Sequence, residues 1–156
     1  MRRDAEDLSH RDIEHFRGAC RKAGIKLTPQ RLAIFGAVSR SRSHPTAEAT
    51  WRELRQAMPS LSLDTVYRTL DTLDRIGMVI RVPGSEGSAH FDGNPSAHHH
   101  LVCRQCGAIE DIDWPEIESA ELPPEVKGWG EVERTHVQFR GICRRCLARA
   151  TRSSTS

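Results

Sequence analysis

Two Cys-x-x-Cys pairs, Cys103-Arg-Gln-Cys106 and Cys143-Arg-Arg-Cys146, constrain this chain more than any other feature. Four thiolates in paired two-residue spacing can close a tetrahedron around one Zn2+, because each short gap lets the backbone curl around one face of the ion. Gly107, directly after Cys106, supplies the permissive backbone that such a knuckle wants. The pairs lie farther apart than in a compact zinc ribbon, so a folded segment must bring Cys143 back beside Cys103. A redox dithiol is one alternative, but it needs only one Cys-x-x-Cys near a βαβ pattern. Disulfides are the other; the opening MRRDAEDLSH has no apolar signal segment, which leads to the expectation of a reducing cytoplasm. Cys20 shares an apolar helical face with Phe16 and reads as core.

A length of 156 residues admits one domain or two small ones, and 37% hydrophobic with 28% charged residues describes an ordinary globule without a membrane span. The net charge of +2 hides an asymmetry: residues 1–88 carry 15 Lys and Arg against 11 Asp and Glu, whereas 89–156 carry 8 against 10. The basic half is a candidate for an anionic partner, and a solvated surface accounts for it equally well.

That half is punctuated like a small helical domain. Ile13, Phe16 and Cys20 recur at helical spacing up to Gly24, and Thr28-Pro29 gives an N-cap followed by proline at the first helical position. Leu32, Ile34, Phe35 and Val38 of this second helix point inward. After a turn at His44-Pro45, Thr46 caps a third helix holding Ala49, Trp51 and Leu54. Ser62 caps a fourth, with Val66, Leu70, Leu73 and Ile76 as its buried stripe and Gly77 as its stop. Met78–Val82 and Ser88–Phe91 flank a Pro-Gly-Ser-Glu-Gly turn and predict a hairpin. Helices ending in a hairpin make a winged helix-turn-helix, in which the helix after the turn enters the major groove. Asp64, Thr65, Tyr67, Arg68 and Asp71 would face DNA there, and Arg21-Lys22 would contact backbone or minor groove. A merely solvated helix face is the alternative.

The second half predicts a small α/β unit: strands at 98–103 and 108–113, a short helix at 115–120, and a return strand at 132–141 delivering Cys143. The hinge is expected at 92–97, with the winged helix over 1–91, the second domain over 98–150, and disordered ends at 1–9 and 151–156. On a strand His98 and His100 share one face while His99 takes the other, so the outer pair can grip one ion. Asp111 lies on the partner strand and Asp92 at the hinge. His44, a lone histidine before proline, reads from position alone as surface. Imidazoles with carboxylates suit Fe2+ or Mn2+ better than an all-thiolate site does, although Zn2+, Ni2+ or Cu2+ would bind by raw affinity.

The motifs Leu27-Thr-Pro-Gln-Arg31, His44-Pro-Thr-Ala47, Asp64-Thr-Val-Tyr-Arg68, Phe91-Asp92, His98–Gly107 and Cys143-Arg-Arg-Cys146, in this order over residues 10–150, resemble the ferric uptake regulator (Fur) family of metal-dependent bacterial repressors. The resemblance implies an α+β chain: an N-terminal winged helix-turn-helix, then a small C-terminal α/β dimerisation domain with a four-cysteine zinc site. It implies a cytoplasmic homodimer bound to double-stranded DNA at an AT-rich palindromic operator. It assigns Cys103, Cys106, Cys143 and Cys146 to structural Zn2+, and His44, Asp92, His98, His100 and Asp111 to a regulatory Fe2+ or Mn2+. Iron sensors of the family tend to carry glutamate at the two carboxylate positions and peroxide sensors of the PerR type aspartate; this chain carries Asp92 and Asp111. Peroxide sensing, through oxidation of His44 and His98, is therefore the expected response, with sensing of iron, zinc, nickel or manganese supply as the alternative. An auxiliary site of His99, Glu118 and His136 is implied with less support, since Ala97 stands where iron sensors place a further histidine. His90 is a substitute ligand that the sequence does not rank. A hydrolytic zinc enzyme is the remaining reading; with no HExxH helix, the expectation is that the chain is not an enzyme.

Overall fold

The computed structural model describes residues 8–84, 87–94, 96–132 and 135–153. Residues 1–7 and 154–156 of the expected disordered ends, residues 85–86 of the expected hairpin turn and residue 95 of the expected hinge lie outside the described residues. The chain divides into two compact units, 1–95 and 96–156.

In the first unit, four helices precede a two-stranded hairpin: α1 His10–Lys22, α2 Pro29–Arg40, α3 Ala47–Leu54, α4 Leu63–Arg75, β1 Ile80–Pro83 and β2 Ala89–Asp92. Every helix begins where a side-chain oxygen can take an orphan backbone N–H. Ser9, Thr28, Thr46 and Ser62 each accept from the amide three residues on, and Ser9 with Asp12 completes a capping box. Ser9 was expected within a disordered segment. Its cap, together with Leu8 packing on the core, orders the chain from residue 8. Phe16 of α1 stacks on Phe35 of α2 with ring centroids 4.6 Å apart. Around that pair, Ile34, Val38, Val66, Leu70, Leu73 and Phe91 are buried in one core.

In α3 the expected inward residues Ala49 and Trp51 are only half-buried, and Ala47 and Thr50 are buried instead. Thr50 tolerates this because its hydroxyl donates to Thr46 O at 3.0 Å. Trp51 holds the turn between α3 and α4 by donating its indole N–H to Leu61 O at 2.9 Å. β1 and β2 pair antiparallel, with Val82 opposite His90 and Ile80 opposite Asp92. Asp92, expected to open the hinge, therefore ends the wing. Its carboxylate accepts from Asn94 N at 2.9 Å, a local turn that terminates the strand.

The second unit is a three-stranded sheet with short helices: β3 His99–Cys103, β4 Ile109–Ile112, α5 Pro115–Glu118, α6 Pro124–Trp129, β5 Gln138–Gly141 and α7 Arg144–Ser153. Strand order is β4-β3-β5, with β4 antiparallel and β5 parallel to the central strand. The return strand, expected over 132–141, starts at 138 among the described residues, with 133–134 lying outside them, and α6 was not foreseen. Helix α7 continues through 151–153, where a tail was expected; its first turn is closed by Cys146 and Leu147, which both donate to Cys143 O at 3.0 Å.

No helix among the described residues is long and apolar enough to cross a membrane.

Candidate functional site

Three sets of side chains gathered by this fold carry chemistry. At one end of the second unit, β3 and its turn deliver Cys103 and Cys106, while the start of α7 delivers Cys143 and Cys146. All four sulfur atoms lie within 4.8 Å of one another. Cys103 Sγ is 4.0 Å from Cys146 Sγ, and Cys106 Sγ is 3.7 Å from Cys143 Sγ. Bonds of about 2.3 Å at tetrahedral angles set sulfur atoms about 3.8 Å apart, so the set fits Zn2+. A disulfide would need about 2.05 Å, and all five cysteines are free thiols. Gly107 adopts φ 71°, the left-handed turn that folds the knuckle and lets its N–H reach Cys103 O at 3.0 Å. Backbone N–H groups favour thiolate here. Those of Cys143 and then Cys106 bring the Cys103 thiol down to about 6, and that of Cys146 lowers Cys143. Burial pushes Cys146 the other way.

The histidine run lies just upstream, with His99 and His100 opening β3 and His98 directly before it, and all three are buried. The alternation expected of a strand holds for their rings: His98 Nε2 and His100 Nε2 are 3.1 Å apart. Asp111 Oδ1, from the paired strand β4, stands 3.8 Å from the first and 3.6 Å from the second. Ligand atoms bonded to one ion at about 2.1 Å sit about 3.0–3.4 Å apart, so a few tenths of an ångström close this triad on a metal. Each imidazole is aimed from behind. His98 Nδ1 donates to Ser96 O at 2.7 Å, leaving Nε2 as the lone-pair face. His100 Nδ1 shares a hydrogen with His136 Nε2 at 2.6 Å. His136, implied as an auxiliary ligand, thus stands behind His100. His99 turns to the other face, where its Nδ1 accepts from Val137 N at 3.2 Å, and its ring centroid is 6.4 Å from that of His136. Glu118 is exposed at the end of α5, and His99, Glu118 and His136 form no metal-competent group among the described residues.

In the first unit, His44 and Asp92 are both buried and bring ligand atoms within 4.8 Å of each other. His44 is far from the surface residue its position suggested. It adopts φ 49°, the one positive value outside glycine among the described residues, and non-glycine residues held there cluster at functional sites.

The third set is the outer face of α4. Tyr67 and Arg68 are exposed, as are Arg21 and Lys22 at the end of α1. Thr65 is half-buried and its hydroxyl is engaged with Ser62 Oγ at 2.8 Å in the helix cap. Two residues on this face were missed from sequence. Glu48 of α3 accepts the Tyr67 hydroxyl, which raises the phenol above its ordinary value and lowers the carboxyl. Arg81 of the wing pairs with Asp71 and takes Asp74 Oδ1 on its backbone N–H at 3.1 Å, masking two carboxylates of α4. The signal for Arg81 was a cation on the strand that follows a helix carrying Asp71 and Asp74 one turn apart.

A winged helix joined to an α/β unit with a four-thiolate cage and a His/Asp cluster defines a metal-responsive DNA-binding regulator. The chain belongs to the ferric uptake regulator family, whose model matches residues 22–139. It is 32% identical to the peroxide-responsive repressor PerR of Staphylococcus epidermidis, across 94% of this chain and 97% of that one. The ferric uptake regulator of Helicobacter pylori has the same fold, with a TM-score of 0.72 and 24% identity over 94% of this chain and 97% of that one. The Pseudomonas aeruginosa regulator solved with manganese gives 0.67 at 28% identity, over 82% and 97%.

Proposed function

We propose that this chain is a homodimeric, metal-dependent repressor of an AT-rich palindromic operator, working in the cytoplasm, and that peroxide relieves repression. Cys103, Cys106, Cys143 and Cys146 hold a permanent Zn2+ that staples the second unit. His44 and Asp92 from the first unit join His98, His100 and Asp111 from the second around a regulatory Fe2+ or Mn2+. Helix α4 reads the major groove through Tyr67 and Arg68, with Thr65 at its start, while Arg21 and Lys22 contact phosphates. Dimerisation has support in an apolar face of the second sheet: Leu101 and Phe139 are register partners, both exposed, and Trp114 stacks on Phe139 at 5.7 Å.

The observation that carries the peroxide reading is aspartate, not glutamate, at both carboxylate positions, 92 and 111. Iron bound beside these short carboxylates supplies the redox chemistry that converts peroxide to an oxidant at the ligand shell. His44 and His98 are the imidazoles that take up oxygen, and an oxidised ring is a poor ligand. Because the ligands come from both units, occupancy favours the arrangement of reading helices that fits two half-sites, a coupling of about 1–3 kcal/mol, or about 5–150-fold in operator affinity. Protein loaded with Fe2+ without oxygen and then exposed to peroxide should show one added oxygen on the peptides containing His44 or His98 and should release operator DNA. The Mn2+ form should do neither. Unmodified histidines in iron-loaded protein that still binds operator would refute the reading.

A metal-supply sensor is the second reading, favoured by the fold's similarity to uptake regulators such as the manganese-bound Pseudomonas one. It requires operator affinity to follow free metal concentration with no histidine consumed.

A further inference from the structure

His90 stands two residues before the ligand Asp92, and as an imidazole it is an obvious candidate for a further ligand. Its two nitrogens are already committed. Nδ1 lies 2.6 Å from the backbone carbonyl of His44, and Nε2 lies 3.2 Å from Ser88 Oγ. A carbonyl only accepts, so Nδ1 carries the proton, and in the neutral ring Nε2 is left to accept the Ser88 hydroxyl. No lone pair remains for a metal.

What the ring holds is the turn that presents His44. That residue alone, among the described non-glycine residues, takes a left-handed φ, 49°, a conformation that persists only where its surroundings enforce it. β2 supplies the enforcement over consecutive residues. His90 holds His44 O, Phe91 N donates to Pro45 O at 3.0 Å, and Thr46 forms an antiparallel bridge with His90. The ring is wedged from the wing side as well: a Cβ on Gly84 would meet its Cδ2 at 2.5 Å and its Nε2 at 2.7 Å. Glycine at 84 is thus the condition for His90 to lie where it does, and Gly84 N donates to the backbone carbonyl of Ser88, the residue whose hydroxyl meets the ring, at 2.8 Å.

We propose that His90 is a positioning residue for the regulatory metal: without ligating, it fixes the left-handed His44 turn through its Nδ1–H and ties that turn to the base of the wing. The proposal rests on the reading of His44 as a ligand. Groups behind a metal ligand set its orientation, and losing one costs about 10–100-fold in metal affinity.

The test uses the full-length, zinc-loaded protein and Mn2+ as a redox-silent probe, with free Mn2+ counted by electron paramagnetic resonance. Asparagine at 90 keeps an N–H near the position of Nδ1 but has no second ring nitrogen and no affinity for Mn2+ as an imidazole. The expected result is weaker Mn2+ binding by about 10–100-fold in His90→Ala, substantial recovery in His90→Asn, and a loss in Gly84→Ala, whose added Cβ displaces the ring while leaving the imidazole chemically intact. Zinc content and melting temperature serve as fold controls. Amide exchange over residues 42–47 in the zinc-only protein should speed up in His90→Ala and return towards the parent rate in His90→Asn, a change that does not depend on Mn2+ at all. His90→Asn binding as weakly as His90→Ala would make His90 a ligand and overturn the proposal, as would His90→Ala binding like the parent. Should His90→Ala fail to fold, His90→Asn and Gly84→Ala decide it by the same criteria. His44→Ala separates the two levels: if it binds Mn2+ like the parent, the ligand reading itself falls and the proposal with it, whereas its loss of binding beside a normal His90→Ala sinks the proposal alone.

Discussion

Arg68→Ala tests the DNA face most directly, because the structure separates its cost to folding from its cost to binding. The side chain is 81% exposed, and its ion pair to Asp64, at 3.6 Å, joins it to a carboxylate that is 76% exposed. A pair so solvated contributes between about 0 and 1 kcal/mol. The unfolding free energy measured in urea should therefore fall by no more than about 1 kcal/mol. If the guanidinium reads a base edge, each half-site loses about 1–3 kcal/mol, or about 5–150-fold. If it touches only phosphate, the loss is uniform across sequences, and the slope of log affinity against log salt falls by about one ion per half-site. Fluorescence anisotropy with Mn2+-loaded protein, on operator and scrambled duplexes at several salt concentrations, tells these apart. Asp64→Asn is the companion variant. It removes a negative charge from α4, so on the proposed reading its operator affinity should hold or rise, which rules out general damage to α4. A Mn2+-loaded, folded Arg68→Ala protein that binds operator as tightly as the parent at every salt concentration would reject α4 as the reading helix.

The single tyrosine makes its own environment measurable. The Glu48 carboxylate holds the Tyr67 phenol above its ordinary value of 10.0, so absorbance titration at 295 nm should give a raised midpoint that falls back in Glu48→Ala; equal midpoints would mean the bond is absent in solution. The sign follows from both partners: the bond's contribution is complete between the carboxyl's ordinary value of 4.5 and the phenol's of 10.0, and it is lost as pH rises through the raised phenol value or falls through the lowered carboxyl value. Cys103→Ser should yield protein without stoichiometric zinc and without a cooperative melt of the second unit, since structural zinc contributes folding free energy directly, and a well-folded zinc-free dimer would contradict the staple. Phe16→Ala removes a fully buried ring stacked on Phe35 and should cost about 3–5 kcal/mol by urea denaturation; a loss below about 1 kcal/mol would mean that α1 is not part of the core.

How legible the chain was depends on the range of the signal. The caps at Thr28, Thr46 and Ser62 were readable because a cap is a contact within three residues, and the stripe of α4 because it repeats every turn. The cysteine cage was readable because its spacing encodes its geometry, and the bond lengths of Zn2+ leave little freedom. Helix α7 was not, since its sequence, RRCLARATRS, offers a single large apolar residue, Leu147, once its cysteine has been given to the metal, and nothing local says that the turn at Cys143 nucleates a helix. His44 shows the limit most clearly. A histidine before proline carries no periodic or spacing signal, and what makes it buried and left-handed is a strand almost fifty residues downstream. His90 was visible as a residue and opaque as a role, because imidazole is ligand, donor and acceptor at once, and only its partners, His44 O and Ser88 Oγ, choose among these. The same asymmetry explains why metal ligands can be guessed from a chain while the groups that aim them cannot. A ligand must be one of a few residue types in a few spacings, whereas any N–H at the right distance can stand behind it.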